Sequence, residues 1–177
     1  MLRLLLLRHA KSDWSDPALS DHDRPLGPRG LKAVPLIAAV MARKGLVPAA
    51  CLTSTASRAR DTARLVLAGL AQGADIAVTP LPALYDFGSG REAAAAIAVH
   101  GGTATPLLVV GHNPAFHRLA LRLAADGGKA DMAKLKRKFP AGALAVIDLA
   151  IAAWADLPGA TGRLCAFIRP RAINGDD

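Results

Sequence analysis

Short apolar runs alternate along the chain with longer stretches in which apolar residues recur every three or four positions. Residues 2–7 are nearly all apolar, as expected of a strand that is buried on both faces of a sheet. Runs of this kind predict strands at residues 2–7, 49–53, 76–78, 107–110, 144–149 and 163–168. Short strands separated by amphipathic stretches predict an α/β sheet with helices on both faces.

The longer stretches predict helices at residues 28–44, 57–70, 91–99, 114–124 and 130–137. Pro28 suits the first turn of the first helix, and Gly45 suits the position just after its end. Pro35 lies inside that helix and should kink it or move its start to a later residue. Pro158 and Gly159 predict a turn between the last two strands. Because the chain has neither a repeat nor a low-complexity linker, residues 1–177 are predicted to form a single domain.

The composition indicates a globular protein with an extensive core. Hydrophobic residues make up 52% of the 177 residues and aromatic residues only 4%, so the core is built from many small contacts. No apolar run approaches the roughly 18 residues that span a bilayer, and the N-terminal leucine run is too short for a secretion signal. Cys51 and Cys165 lack metal-ligand spacing and are expected to be buried free thiols. These observations predict a cytoplasmic protein without a membrane partner.

The chain is basic, with a formal net charge of +8, which favours anionic partners in general. Its densest basic cluster is residues 134–138, KLKRK, followed directly by Phe139. A solvated helix end is one interpretation of this cluster, and contact with RNA or DNA is the other. Because no recognised nucleic-acid motif accompanies it, nucleic acid ranks last among the expected partners.

Polar clusters follow three of the predicted strands. Arg8 and His9 come after the first strand, residues 54–58 after the second, and residues 111–114 after the strand at 107–110. Ligands of open α/β sheets bind at the edge where the strands end. Two histidines and two arginines gathered there would form a cationic site that can hold a phosphate, and histidine can also act as a covalent nucleophile.

These clusters resemble the three sequence blocks of the histidine phosphatase (phosphoglycerate mutase-like) superfamily. Residues 7–10, LRHA, resemble its RHG-type signature. Residues 53–63, TSTASRARDTA, and 109–114, VVGHNP, are similar to its second and third blocks. The resemblance is collinear from Leu2 to at least Leu149. It implies a three-layer α/β/α sandwich with a mostly parallel central sheet and no large cap domain.

The resemblance also implies a role for each residue of the site. His9 would be the nucleophile that becomes transiently phosphorylated, and Arg8 and Arg58 would bind the phosphoryl oxygens. His112 would complete the pocket. A nucleophilic imidazole needs an unprotonated nitrogen, so His9 is expected to bond a backbone carbonyl through its other nitrogen. Neighbouring cations should lower its pKa and keep it neutral near pH 7.

A proton donor is required when the leaving group is an alkoxide. Asp86 lies where mutase-like relatives carry their acid, although an Asx turn ahead of Gly88 explains it equally well. The Glu-rich pattern of that region is missing, which matters less for phosphohistidine because imidazole is a better leaving group. In lacking this pattern, the chain resembles the SixA-type phosphohistidine phosphatases. Ser15 and Asp16 lie in the loop that often reaches the pocket of the family, and no role is assigned to them.

Three functions are consistent with these residues. The first is a phosphohistidine phosphatase that acts on a partner protein, such as a histidine phosphotransfer domain. The second is a phosphatase of small phosphomonoesters, and the third is a phosphate- or phosphoprotein-binding module without turnover. No metal and no organic cofactor is expected, because His112 and His117 are spaced wrongly for zinc on one helix face and no nucleotide-binding motif is complete.

Overall fold

A computed structural model describes residues 1–70 and 75–170. In these ranges the strands are β1 (Leu2–Arg8), β2 (Ala50–Ser54), β3 (Val78–Leu81), β4 (Leu107–Gly111), β5 (Ala124–Gly127), β6 (Leu144–Leu149) and β7 (Gly162–Ile168). The helices are α1 (Pro28–Arg43), α2 (Ser57–Ala68), α3 (Arg91–His100), α4 (Ala115–Leu123) and α5 (Lys129–Arg137). Short 3-10 helices cover Pro82–Leu84 and Trp154–Gly159.

The strands form one sheet in the order β3-β2-β4-β1-β6-β7-β5. Strands β3, β2, β4 and β1 run parallel, β6 is antiparallel to both β1 and β7, and β5 pairs parallel with β7. The predicted mostly parallel sheet is therefore confirmed. Strand β1 lies at the centre of the sheet, which explains why its leucine run is apolar throughout.

Successive leucines of β1 point to opposite faces of the sheet, as the two-residue period of a strand requires. Leu4 and Leu6 pack in the core beneath α3, α4 and α5, whereas Leu5 and Leu7 pack in the core beneath α1 and α2. All four are fully buried. The two cores confirm the three-layer α/β/α arrangement.

Three predicted details are wrong or shifted. Strand β3 covers Val78–Leu81 instead of 76–78, because it is an exposed edge strand whose burial pattern gives no clear signal. Strand β5 was not predicted, since its sequence Ala-Ala-Asp-Gly has low strand propensity and forms only by pairing with β7. Helix α1 continues through Pro35 from its predicted start at Pro28, so the later start is wrong.

Two further expectations concern cysteines and membranes. Both cysteines are free thiols, as predicted, and Cys51 is buried. The predicted burial of Cys165 is wrong, because its side chain on β7 is exposed. Within residues 1–70 and 75–170, none of the helices combines the length and the hydrophobicity that crossing a bilayer requires.

The parallel pairing brings the ends of three strands to one edge of the sheet. Arg8 at the end of β1 is paired with Gly111 at the end of β4, and Thr53 of β2 is paired with Val110 of β4. Strand β6 begins at the same edge, where Leu144 is paired with Leu7. The residues that follow these strands therefore meet at one place.

Candidate active site

His9 is the first residue beyond β1. Its backbone N–H donates to the Gly111 carbonyl at 3.0 Å, which fixes the residue to the end of β4. Its Nδ1 lies 2.7 Å from the Ala10 carbonyl oxygen. A carbonyl only accepts, so the ring proton is on Nδ1 and Nε2 keeps its lone pair. The backbone-carbonyl partner predicted from the sequence is present, and the side chain is oriented as a nucleophile requires.

Arg58 lies in the first turn of α2 and is almost completely buried. Its Nε donates to His9 Nε2 at 3.3 Å, and its Nη2 donates to His112 Nδ1 at 3.5 Å. Thr62, one turn further along the helix, donates to the Arg58 carbonyl and accepts the Ala10 N–H. Helix α2 is thus bonded to the loop that carries His9, which sets the guanidinium between the two imidazoles.

His112 follows β4 and is fully buried, with its ring centroid 4.9 Å from that of His9. A guanidinium only donates, so His112 Nδ1 accepts from Arg58 and the ring proton is on Nε2. There it donates to Ser54 Oγ at 2.8 Å. The preceding residue must be glycine, because a Cβ on Gly111 would lie 2.5 Å from the Phe116 ring. The close packing of Gly111 against Phe116 therefore positions His112 in the site.

Arg8 forms the other cationic wall of the site. Its Nη1 donates to the Phe139 carbonyl at 2.9 Å, and Asn113 Nδ2 donates to the same oxygen at 2.8 Å. Among the described residues the buried Nε of Arg8 has no hydrogen-bond partner. An unsatisfied buried donor is costly, so an anionic ligand beside it would be stabilised. Burial, together with the charge of Arg58, also lowers the pKa of Arg8.

Both imidazoles are neutral at physiological pH. Burial lowers the pKa of His9 from 6.5 to about 4, with Arg58 and Arg8 adding to the effect and the Ala10 carbonyl opposing it. Burial, then His9 and Arg58, lowers the pKa of His112 to about 3. A neutral His9 keeps a nucleophilic lone pair where an ordinary histidine would be partly protonated.

We expect His9 and His112 to stay neutral when the pH is lowered from 7 to 5. The reason is that burial and the two arginines disfavour the imidazolium, so protonation of His9 is expected only near pH 4. NMR titration of ring carbon and proton shifts in ¹³C-histidine-labelled protein measures this, with His9→Ala and His112→Ala assigning the signals. A His9 signal that titrates near 6.5, the ordinary value, would contradict the electrostatic picture.

The sequence did not identify Asp21 as part of the site. Its Oδ2 accepts from Arg58 Nη2 at 2.8 Å and from the Tyr85 hydroxyl at 2.6 Å, and its carbonyl oxygen accepts from Arg58 Nη1. Burial alone would raise the pKa of Asp21, but the bonds from Tyr85 and Arg58 outweigh it and lower the pKa. Asp21 is therefore a carboxylate. It lies in a polar loop with no local pattern that distinguishes it from neighbouring aspartates.

Ser15 and Asp16, in the same loop, make local contacts. The Ser15 N–H donates to Asp13, and Asp16 accepts the Ala18 N–H on its carboxylate and Arg24 on its carbonyl. Both residues are exposed and shape the loop.

Asp86 is buried, and its Oδ1 accepts the Gly88 N–H at 2.6 Å, which forms the Asx turn expected as the alternative. Its Oδ2 has no partner among the described residues. The role of proton donor stays a prediction. The turn presents Phe87, which is 45% exposed although its ring lies 5.0 Å from that of His112 and 4.8 Å from that of Tyr85. An aromatic rim therefore borders the pocket.

The model of the histidine phosphatase superfamily (branch 1) matches residues 4–93. The chain belongs to the histidine phosphatase superfamily. Membership supports phosphatase activity for the chain. Within residues 1–70 and 75–170, no group of three or more His, Cys, Asp or Glu side chains is placed to hold a metal ion.

Relatives of this histidine phosphatase match nearly the whole chain. The uncharacterized protein Rv1276c of Mycobacterium tuberculosis is 35% identical over 93% of this chain and 100% of its own length. A protein from Agrobacterium tumefaciens described as phosphohistidine phosphatase SixA has a structure that matches with a TM-score of 0.76 and 28% identity, over 96% of this chain and 99% of that one. The structure of the protein histidine phosphatase SixA complexed with tungstate matches with a TM-score of 0.74, over 97% of this chain and 99% of that one. At 22% identity this match supports the fold alone.

Proposed function

We propose that this histidine phosphatase removes the phosphoryl group from a phosphohistidine on a partner protein, through a covalent intermediate on His9. The observation that carries the proposal is the neutral His9 ring, whose Nε2 lone pair faces Arg58 while Nδ1–H is held by the Ala10 carbonyl. The similarity to SixA proteins supports the same substrate class. The free thiols of Cys51 and Cys165 support a cytoplasmic location.

In the first step His9 Nε2 gives up its hydrogen bond from Arg58 Nε and attacks the phosphorus atom of the substrate. The P–Nε2 bond forms, the P–N bond to the substrate histidine breaks, and its electron pair goes to the departing imidazole nitrogen. Arg8 and Arg58 donate to the phosphoryl oxygens and neutralise their charge as the group moves. The phosphorylated ring becomes cationic, and the Ala10 carbonyl that accepts from Nδ1–H stabilises that charge.

In the second step water attacks the phosphorus atom of phosphorylated His9. The P–O bond forms, the P–Nε2 bond breaks, and the electron pair returns to Nε2. The two protons of the water leave on dihydrogen phosphate, and His9 is neutral again. Nothing in this cycle requires a proton from a carboxylic acid.

The substrate class follows from this proton balance. When the ring nitrogen that does not carry phosphorus is protonated, the leaving group of a phosphohistidine is a neutral imidazole. The leaving group of an alkyl phosphate is an alkoxide, which needs a proton from an acid. Asp21 is a carboxylate bonded to Arg58 and has no proton to donate, and the Asp86 carboxyl accepts the Gly88 N–H through Oδ1. The exposed Phe87 ring beside the pocket adds an aromatic surface suited to an imidazole ring.

A basic surface next to the pocket favours a protein substrate. Lys136, Arg137 and Lys138 at the end of α5 are exposed, and they immediately precede Phe139, whose carbonyl is bound by Arg8. None of the three cations forms an ion pair with another residue in the described part of the chain. We call these three residues the basic ridge. It would attract an acidic surface that carries the phosphohistidine.

Reversing two charges of the basic ridge should slow turnover of a phosphorylated protein. In Arg137→Glu/Lys138→Glu we expect kcat/KM for a phosphorylated histidine phosphotransfer domain to fall about tenfold at low salt, because electrostatic steering is lost. The difference should shrink at high salt, where charges are screened. Hydrolysis of the free amino acid phosphohistidine should change less than about twofold, because a small substrate does not reach the ridge.

The chain offers a matched control for this variant. Arg43 ends α1 and Lys44 is its C-cap, just as Arg137 ends α5 and Lys138 is its C-cap. Helix α1 ends shortly before β2, which runs parallel to β1, so its last residues lie at the edge where these strands begin, opposite His9. Arg43→Glu/Lys44→Glu makes the same change in charge and helix end, and should leave turnover unaltered. Equal losses in the two variants would contradict docking at the ridge.

The function itself is tested with purified protein and no added metal. The substrates are a phosphorylated histidine phosphotransfer domain, a panel of small phosphomonoesters and an aryl phosphate. Turnover of the phosphoprotein well above that of the esters supports the proposal. Turnover of the esters alone would replace it with the small-molecule phosphatase, and phosphate binding without any turnover would replace it with the binding module.

A further inference from the structure

The Asp21 side chain contacts Arg58 where a phosphoryl group would need the arginine. Arg58 donates through Nε to His9, through Nη1 to the Asp21 carbonyl, and through Nη2 to both the Asp21 carboxylate and His112. A guanidinium has five N–H donors, so these four bonds leave it one to offer. When His9 Nε2 bonds phosphorus, the Arg58 Nε–H is freed, but a bidentate contact that uses Nε also needs the adjacent Nη2, whose two hydrogens are taken by Asp21 and His112.

Asp21 is the partner that is easiest to replace. Its side chain is 43% exposed, whereas that of Arg58 is 4% exposed, so the carboxylate can turn into water and the guanidinium cannot. His112, the other acceptor of Nη2, is buried and also bonded to Ser54. The Asp21 carboxylate is also an anion, like the phosphoryl group, and the two would repel each other if both stayed beside Arg58.

We propose that Asp21 is a resident counter-ion of the phosphoryl site, which holds Arg58 in place in the empty enzyme and is exchanged for phosphoryl oxygens when substrate binds. The proposal rests on the proposed function, because it assumes that Arg58 binds the transferred phosphoryl group. A buried guanidinium without a partner is strongly destabilising, so the empty site needs such an anion. Tyr85, which donates to the same Asp21 oxygen, stabilises the carboxylate in that position.

The exchange makes Asp21 a positioning residue with two consequences. It keeps Arg58 oriented toward both imidazoles between turnovers, so the site does not have to reorganise when substrate arrives. It also competes with the product, because the returning carboxylate takes the donors that hold inorganic phosphate. Arg8 forms no ion pair in the described part of the chain, so its donors face no such competition from a carboxylate.

The test removes the negative charge of the Asp21 side chain and keeps its shape. In Asp21→Asn the amide oxygen can still accept from Arg58 and Tyr85, but the anion is gone. We expect inorganic phosphate to bind about tenfold more tightly by titration calorimetry at constant ionic strength, because one like charge beside the ligand is removed. As a product inhibitor of phosphohistidine turnover, phosphate should become more potent by the same factor.

A purely structural role predicts the opposite sign. If Asp21 only anchors Arg58, the weaker acceptor in Asp21→Asn leaves the arginine less well held, and phosphate binding weakens or stays the same. Either result overturns the proposal. Asp23→Asn is the matched control, because Asp23 lies in the same loop, bonds to Ser20 and His22, and makes no contact with Arg58 in the described structure. It should shift phosphate affinity less than about twofold, as an exposed charge largely screened by salt.

The calorimetric arm does not depend on catalysis. If the protein does not hydrolyse phosphohistidine, the proposed function is wrong, yet tighter phosphate binding by Asp21→Asn than by wild type still supports the exchange. A protein that hydrolyses phosphohistidine with equal phosphate affinity in both forms keeps the proposed function and loses the counter-ion. The two failures are therefore distinguishable.

Discussion

His9→Ala should lower phosphohistidine turnover by at least about 10⁴-fold, because removing a covalent nucleophile removes both steps of the cycle. Phosphate binding should survive, since Arg8 and Arg58 remain. Wild-type protein quenched during turnover should carry a phosphoryl group on His9 that is labile in acid, and mass spectrometry of the quenched protein detects it. The variant should carry none.

His100→Ala is the control for this experiment. His100 is exposed at the end of α3, at the edge of the sheet opposite the site, so its removal tests only the loss of a histidine. It should keep turnover within about twofold of wild type, as a surface substitution away from special features. If His9→Ala itself retained turnover within tenfold of wild type, the covalent scheme would have to be abandoned in favour of direct attack by water.

The sequence predicts the central part of this fold well, for a physical reason. A strand buried on both faces must be apolar at every position, so the leucine run of β1 stands out from the rest of the chain. The strand ends were also predictable, because Arg8, His9 and His112 are polar residues placed directly after apolar runs. Parallel pairing then brings them together without any further information.

The parts that could not be predicted depend on contacts distant in sequence. Strand β5 forms by pairing with β7, and its own residues have little strand propensity. Asp21 reaches Arg58 because the long loop after β1 folds back through the bridge between Ser12 and Leu26. No pattern within the loop reports that closure. The motif residues of the site could therefore be predicted from the sequence, whereas the Asp21 carboxylate that pairs with Arg58 could not.

The environment of Asp86 illustrates the same limit. An aspartate two residues before a glycine can form an Asx turn or donate a proton, and the sequence left both open. The hydrogen bond to the Gly88 N–H establishes the turn. This turn also accounts for the exposed position of Phe87, since it directs the chain past the rim of the pocket before α3 begins.

Arg58→Ala is the second change with a large expected effect. The guanidinium is bonded to both imidazoles and to Asp21, so its loss removes a phosphoryl donor and leaves the Asp21 carboxylate without its cation. We expect kcat/KM for phosphohistidine to fall by about 10²–10³-fold, as for the loss of one donor to the transition state. Arg58→Lys should restore little, because a single ammonium group cannot reproduce the fork that spans His9, His112 and a phosphoryl oxygen.

The pKa of His9 separates this role from a merely structural one. Arg58 contributes to lowering that pKa, so in Arg58→Ala the His9 pKa should rise from about 4 toward the ordinary value of 6.5. The same histidine titration by NMR measures it. Arg60→Ala is the matched control, because Arg60 lies in the same turn of α2 with an exposed side chain. It should change neither turnover nor the His9 titration, and an unshifted His9 in Arg58→Ala would mean that burial alone keeps the nucleophile neutral.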